Sequence, residues 1–233
     1  MPRLGPASLD VDAVLFDAGG TLLRLDHAFI AARARRGGHA VEPDRLWRAE
    51  AALRRVIDRR AARPGGLDDR DAGRVLGYFG ALLELAGVPR DVARRLNDEV
   101  SDAHREANLW RVPLPGAVET LDALRRRGFR TGVISNADGR VEALLRDAGL
   151  AAHCEIVLDS HLEGVEKPDP EIFRRALERL ALGAERAVYV GDIYSIDVVG
   201  ARAAGLQAVL IDETGGYEAL DCPVIAGLAE LLV

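Results

Sequence analysis

Apolar residues recur along this chain at two different periods, and the change of period divides it. DAVLFD (12 to 17) is a short apolar run ending on an acid, the pattern of a central strand that delivers a side chain at its carboxyl end. From residue 25 to residue 109 the character changes. PDRLWRAEAALRRVID (43 to 58) and AGRVLGYFGALLELAG (72 to 87) carry apolar residues at helical spacing, with RPGGLDD as a break between them. This stretch predicts a helical insert of about four helices.

VPLPGA, whose prolines and glycine suit a hinge, precedes a regular alternation of helix and strand. LDALRRRG (121 to 128) predicts a helix, RTGVIS (130 to 135) a strand and GRVEALLRDAG (139 to 149) a helix. EIVLDS (155 to 160) follows as strand, PEIFRRALERLAL (170 to 182) as helix, AVYVGD (187 to 192) as strand, IDVVGARAAG (196 to 205) as helix and QAVLI (207 to 211) as strand. The tail from Thr214 is weakly patterned, and no internal repeat is apparent. The expected fold is α/β: a doubly wound, Rossmann-like parallel sheet built from residues 9–24 and 111–233, with a helical domain, 25–110, inserted after the first strand.

Composition narrows the function. A chain of 233 residues that is 48% hydrophobic and 29% charged can bury one large core, or one core with a smaller appended domain. A formal charge of −6 gives no field that favours nucleic acid or an anionic membrane, so small-molecule chemistry is the default. Cys154 and Cys222 form neither a CxxC pair nor a metal-ligand cluster, which argues for reduced thiols. The N-terminal MPRLGPASLD lacks the apolar core of a signal peptide, and no later stretch is long and apolar enough for a membrane span. A cytoplasmic protein is expected. Arginine is abundant, yet lysine occurs once, at Lys167, which singles out a position suited to a compact ammonium rather than a planar fork.

In sheets of this kind ligands bind beyond the carboxyl ends of the strands, and four such ends are chemically distinctive. Asp17 precedes Ala18, Gly19, Gly20 and Thr21, a turn whose backbone N–H groups can cradle an anion beside an exposed carboxylate; a strand-end acid that caps its turn is the plainer alternative. Ser135 and Asn136 offer a hydroxyl and an amide where a helix opens, as helix caps also do. Lys167 is held on an extended turn by Pro168 and Pro170, where an ammonium can neutralise a nucleophilic carboxylate and a transferring phosphoryl group. Asp192 and Asp197, converging with Asp17, would make an oxygen-rich site suited to Mg²⁺.

The Asp-x-Gly-Gly-Thr stretch resembles the first phosphate loop of the actin and sugar-kinase fold, but that fold's second phosphate loop and adenosine motif are missing. Taken in order, FDAGGT, VISN, EKPDP and VGDIYSID resemble the four motifs of the haloacid dehalogenase-like hydrolases, over the whole chain. The helical insert sits where that superfamily places its C1 cap, a lid expected to exclude water and select small substrates. The resemblance implies that Asp17 attacks phosphorus to form an aspartyl phosphate, that Ser135 binds phosphate and that Lys167 steadies both. Ala18, Gly19, Thr21 and Asn136 would complete the phosphate cradle, and Mg²⁺ would be held by Asp17, the Gly19 carbonyl, Asp192 and Asp197.

One residue departs from the pattern. The family's phosphatases carry a second aspartate in the first motif, which protonates the leaving alcohol and then activates water, and here that position is Gly19. The implied function is a Mg²⁺-dependent phosphohydrolase for a small phosphorylated metabolite, with acid/base catalysis weakened or relocated, Asp26 and His27 being the nearest substitutes. A phosphate- or partner-binding protein without turnover is the alternative, and a 2-haloacid dehalogenase, which uses no metal, fits the double acid of GDIYSID poorly.

Overall fold

The computed structural model describes residues 9–61, 76–218 and 220–233. The MPRLGPAS segment, the RPGGLDD break and the first residues of the 72 to 87 segment lie outside them. The chain divides into two compact units: residues up to Arg24 together with Trp110–Val233, and Leu25–Leu109.

The first unit is a six-stranded sheet. Its strands are β1 (Ala13–Phe16), β4 (Arg130–Ser135), β5 (Ile156–Asp159), β6 (Ala187–Gly191), β7 (Gln207–Ile211) and β8 (Val224–Ile225), in the order β5-β4-β1-β6-β7-β8. Every pairing is parallel. All four residues of β1 are fully buried, and they alternate between two cores. Val14 and Phe16 pack with Leu121 and Leu124 of α5 (Ala117–Arg126) and Leu145 of α6 (Val141–Asp147). Ala13 and Leu15 pack with Ile172, Phe173 and Ala176 of α8 (Pro170–Leu180). Helices on both faces explain why the strands read as continuous apolar runs rather than as alternating ones.

Register lines up the functional ends. Phe16 pairs with Val133 on one side and Val190 on the other, so Asp17 emerges level with the ends of β4 and β6.

The tail holds more structure than its pattern suggests. β8 is two residues long and takes its hydrogen bonds from the edge of β7, and Leu228–Leu232 form a 3-10 turn whose Leu228 and Leu231 enter the first core. A second, two-stranded sheet pairs β2 (Leu23–Leu25) with β3 (Trp110–Pro113), where the chain leaves and re-enters this unit. The expected hinge therefore begins inside a strand, and the Leu114 N–H donates to the Leu22 carbonyl at 2.8 Å.

The second unit holds four helices among its described residues: α1 (His27–Arg36), α2 (Pro43–Ala61), α3 (Gly77–Leu85) and α4 (Arg90–Glu106). α3 packs between α2 and α4, and α1 packs on α2 and α4. Asp26 caps α1 by accepting the Phe29 N–H at 2.9 Å. Inside this unit His27 Nε2 lies 2.6 Å from Glu50 Oε2, and Arg54 donates to Glu50 Oε1 at 2.8 Å. All three residues are buried.

Burial alone would push the Glu50 carboxyl up, but the Arg54 guanidinium and His27 outweigh it and hold the acid below the ordinary glutamate range. A depressed acid stabilises the fold at neutral pH, and that contribution is lost as pH falls through its folded pKa. Glu50→Ala is therefore expected to cost about 3–5 kcal/mol, by stranding a buried cation, and to flatten the acid limb of a plot of Tm against pH. A Tm within a degree or two of wild type would show that the network is not structural.

No helix among the described residues is long and apolar enough to cross a membrane.

Candidate active site

Lys167 is the hub of the carboxyl edge of the sheet. Its ammonium donates to Asp17 Oδ1 at 2.7 Å, to Asp197 Oδ1 at 2.7 Å and to the Tyr189 hydroxyl at 2.8 Å. The side chain is only 2% exposed. Two elements deliver it. The 165 to 170 turn precedes α8, whose cap Asp169 accepts the Glu171 N–H, and Asn136 grips the lysine's own backbone. Asn136 Nδ2 donates to the Lys167 carbonyl and its Oδ1 accepts the Lys167 N–H, both at 2.8 Å. The structure thus gives the Asn136 side chain a different use from the phosphate contact expected of it: its amide ties the β4 loop to the lysine turn.

Asp17 leaves β1 with its N–H on the Val190 carbonyl at 2.9 Å. The turn after it closes on itself. The Ala18 carbonyl accepts from Leu22 at 2.9 Å, Leu23 at 2.8 Å and Thr21 at 3.4 Å, while the Gly20 N–H donates to Leu23 at 2.7 Å, with Gly20 at φ 83° where only glycine is comfortable. The backbone N–H of Thr21, expected in an anion cradle, is turned into the loop. The Thr21 hydroxyl is fully buried and has no hydrogen-bond partner among the described residues.

Asp192 follows β6, and the next turn is a single π-helical one, Tyr194–Val198, before α9 (Val199–Ala203). The helix expected from residue 196 opens as this wider turn. Asp197 Oδ2 accepts the N–H groups of Asp192 at 3.0 Å and Ile193 at 2.9 Å, so the carboxylate folds back over the start of its own loop. Gly191 makes room for it, since a Cβ there would meet Asp197 Cγ at 2.3 Å. Carboxylate oxygens of Asp17, Asp192 and Asp197 lie within 4.8 Å of one another, and all three residues are buried.

Two of these acids, Asp17 and Asp197, share the single ammonium of Lys167. Burial pushes the Asp17 carboxyl up to about 6, against the pull of Lys167, and the neighbouring Asp197 adds to the rise. Burial alone would push the Lys167 ammonium down, but Asp17 and Asp197 outweigh it and hold it well above its ordinary value. Burial also drives the Tyr189 phenol well upward, so it stays protonated.

Ser135 closes β4 opposite Asp159 at the end of β5. Asp159 is a residue the sequence reading passed over. Its Oδ2 accepts from the Gly139 and Val141 N–H groups at 2.9 and 3.2 Å, which fixes the loop carrying Ser135 and Asn136. Its signal was available: EIVLDS, like DAVLFD, is an apolar run ending on an acid.

A haloacid dehalogenase-like hydrolase family model matches residues 11–205, a span that takes in every one of these strand ends. The chain belongs to that family. It is 35% identical over 224 residues to the human haloacid dehalogenase-like hydrolase domain-containing protein 3, covering 93% of the chain and 86% of that protein. The mouse protein of the same name is 40% identical over 143 residues, a match to 61% of the chain and about half, 55%, of the mouse protein. The ribulose-1,5-bisphosphate 5-phosphatase of Halopiger xanaduensis is 31% identical over 220 residues, 90% of the chain and 88% of that enzyme. Among solved structures, the HAD phosphatase of Thermococcus onnurineus superposes with a TM-score of 0.59 at 25% identity, over 95% of the chain and 96% of its own.

Gly19 has an unexpected neighbour. A Cβ at position 19 would stand 3.2 Å from Cδ2 and Cε3 of Trp110, so the indole at the start of β3 fills the direction a side chain would take. The other residues proposed from sequence as acid/base substitutes are engaged elsewhere, Asp26 as the α1 cap and His27 on Glu50.

Proposed function

We propose that this hydrolase is a Mg²⁺-dependent phosphohydrolase of small phosphorylated metabolites that works through an aspartyl phosphate on Asp17, with the helical unit Leu25–Leu109 as the counterpart of the family's cap. The observation that carries the reading is the Lys167 hub: a nucleophilic carboxylate held at 2.7 Å by a buried ammonium, beside two further acids. The names of relatives such as the Halopiger phosphatase favour a phosphorylated substrate.

The acid cluster fits the metal. Its donors are hard carboxylate oxygens gathered within 4.8 Å of one another, the donor type and spacing a divalent cation takes. Asp17, Asp192 and the Gly19 carbonyl would hold Mg²⁺. Asp197, whose two oxygens already carry Lys167 and two backbone N–H groups, supports the site chiefly by shaping it. When bound, the metal supplies charge neutralisation for the phosphoryl oxygens.

The chain's own residues account for the rest. Lys167 on Oδ1 keeps the Asp17 carboxylate ionised and orients its other oxygen for in-line attack. Ser135 and the buried Thr21 hydroxyl are the polar side chains the site offers to phosphoryl oxygens.

The test is a panel of small phosphate esters and acyl phosphates, with and without Mg²⁺. Turnover that requires the metal and vanishes in Asp17→Asn is expected. Asp192→Asn should abolish the rise in Tm that Mg²⁺ produces in wild type. A wild-type protein indifferent to Mg²⁺ in the presence of orthovanadate would remove the metal site from the reading.

A further inference from the structure

Tyr189 stands in a strand, AVYVG, that is otherwise apolar and entirely buried. A hydroxyl in that setting needs partners, and it has two. It accepts from Lys167 Nζ at 2.8 Å and donates its one proton to the Ile134 carbonyl at 2.7 Å. That commitment fixes its polarity, because towards the ammonium only lone pairs remain. The ring cannot easily turn away: it is fully buried and meets Phe173 edge to face, centroids 5.0 Å apart at 86°.

An ammonium has three N–H donors. Here each is matched to one oxygen, of Asp17, Asp197 and Tyr189, so a fourth acceptor such as a phosphoryl oxygen could bond only by displacing one of them. Of the three, Tyr189 is the neutral one.

We infer that Tyr189 is a positioning residue: by taking the third donor of Lys167 and anchoring it through the Ile134 carbonyl, it dedicates the ammonium to the Asp17 and Asp197 carboxylates and withholds it from the substrate. Lysine then acts on the nucleophile, while phosphoryl oxygens are left to the other groups of the site. This rests on the phosphohydrolase reading for its kinetic consequence, though not for its geometry.

Tyr189→Phe keeps the ring and removes the oxygen. Because Lys167 is the chain's single lysine, protein labelled with ¹⁵N-lysine and carrying no lysine in any tag gives one side-chain ammonium resonance, readable without substrate. Its protons should exchange with solvent at least about tenfold faster in Tyr189→Phe than in wild type. With p-nitrophenyl phosphate and Mg²⁺, kcat per titrated active site should fall about 10- to 100-fold while KM stays within about twofold, since a hydrogen bond to a charged group is lost but no substrate contact is. Leu177→Ala, a core truncation in α8, serves as the destabilised control and should lower Tm while leaving the resonance and kcat unmoved. An unchanged resonance in Tyr189→Phe would overturn the proposal, as would a raised KM at constant kcat or a control that reproduces the Tyr189→Phe profile. Failure of wild type to hydrolyse any phosphate compound would remove the phosphohydrolase reading, and the substrate-free resonance tells the two failures apart.

Discussion

Lys167→Ala is expected to lower phosphoryl transfer by roughly 10³-fold or more, because the ammonium keeps the nucleophile ionised and holds it in place for attack. Without it, the carboxylates of Asp17 and Asp197 lose the ammonium that both are bonded to, and they stay buried with Asp192, oxygens within 4.8 Å of one another. Like charges at that distance push a carboxyl toward its neutral form, and a protonated Asp17 cannot attack. The fold should suffer as well, since removing one partner of a buried ion pair costs about 3–5 kcal/mol, so rates must be normalised to folded protein. Mg²⁺ at high concentration should recover part of the stability by supplying charge and little of the rate.

Lys167→Arg should not rescue either quantity. The three oxygens surround Nζ at 2.7 to 2.8 Å, an arrangement that suits a compact ammonium and not a planar fork of greater length. The Asn136 amide also pins the backbone at position 167, so the turn is tied against shifting to seat a longer side chain. Steady-state rates and thermal melts of the two variants decide the matter. Near-normal turnover by either would return Lys167 to a structural part.

The second large effect is expected at Gly19. General acid/base assistance is worth about 10²–10⁴-fold, roughly 3–5 kcal/mol of barrier, and a glycine can supply none of it. The two half-reactions should not suffer equally. Acetyl phosphate needs little protonation of its leaving group, so Asp17 should be phosphorylated readily, whereas hydrolysis of the aspartyl phosphate still needs a base to activate water. Acid quenching should therefore trap a phosphoenzyme, with a burst followed by slow turnover, and alkyl phosphates should be the poorest donors.

Gly19→Asp tests this, and the structure sets the terms. Gly19 is not among the residues with positive φ, so its backbone admits a side chain. The obstacle is Trp110, 3.2 Å from where the Cβ would stand, which must give by a few tenths of an ångström. Gly19→Asp alone should gain less than Gly19→Asp with Trp110→Leu, in which the slow phase should accelerate at least about tenfold. His27→Ala should leave the phases unchanged and lower Tm, because His27 is a buried partner of Glu50. Rapid turnover of alkyl phosphates by wild type with no trapped intermediate would mean that another group supplies the missing acid. Absence of both intermediate and turnover with every donor would favour a binding protein.

The sequence by itself determined the strands β1, β4, β5, β6 and β7, the helices α5, α6, α8 and α9 and the helical stretch that follows the first strand, though not the short helix Ser160–Glu163, because burial on both faces or on one imprints a period on neighbouring residues. It also made Asp17, Ser135, Lys167, Asp192 and Asp197 legible, since the carboxyl ends of parallel strands are where an apolar run gives way to polar residues. Only the tertiary structure decided what these residues meet. Tyr189 reaches Lys167 from 22 residues away, Asn136 from 31, and Trp110 covers Gly19 across the whole helical stretch. β8 exists because the edge of β7 offers it a ladder, not because VI has a period. The physical reason is common to all of these: periodicity reports whether a position is buried, whereas the number of donors an ammonium can satisfy, and the room left beside a glycine, depend on which distant strand the register brings alongside.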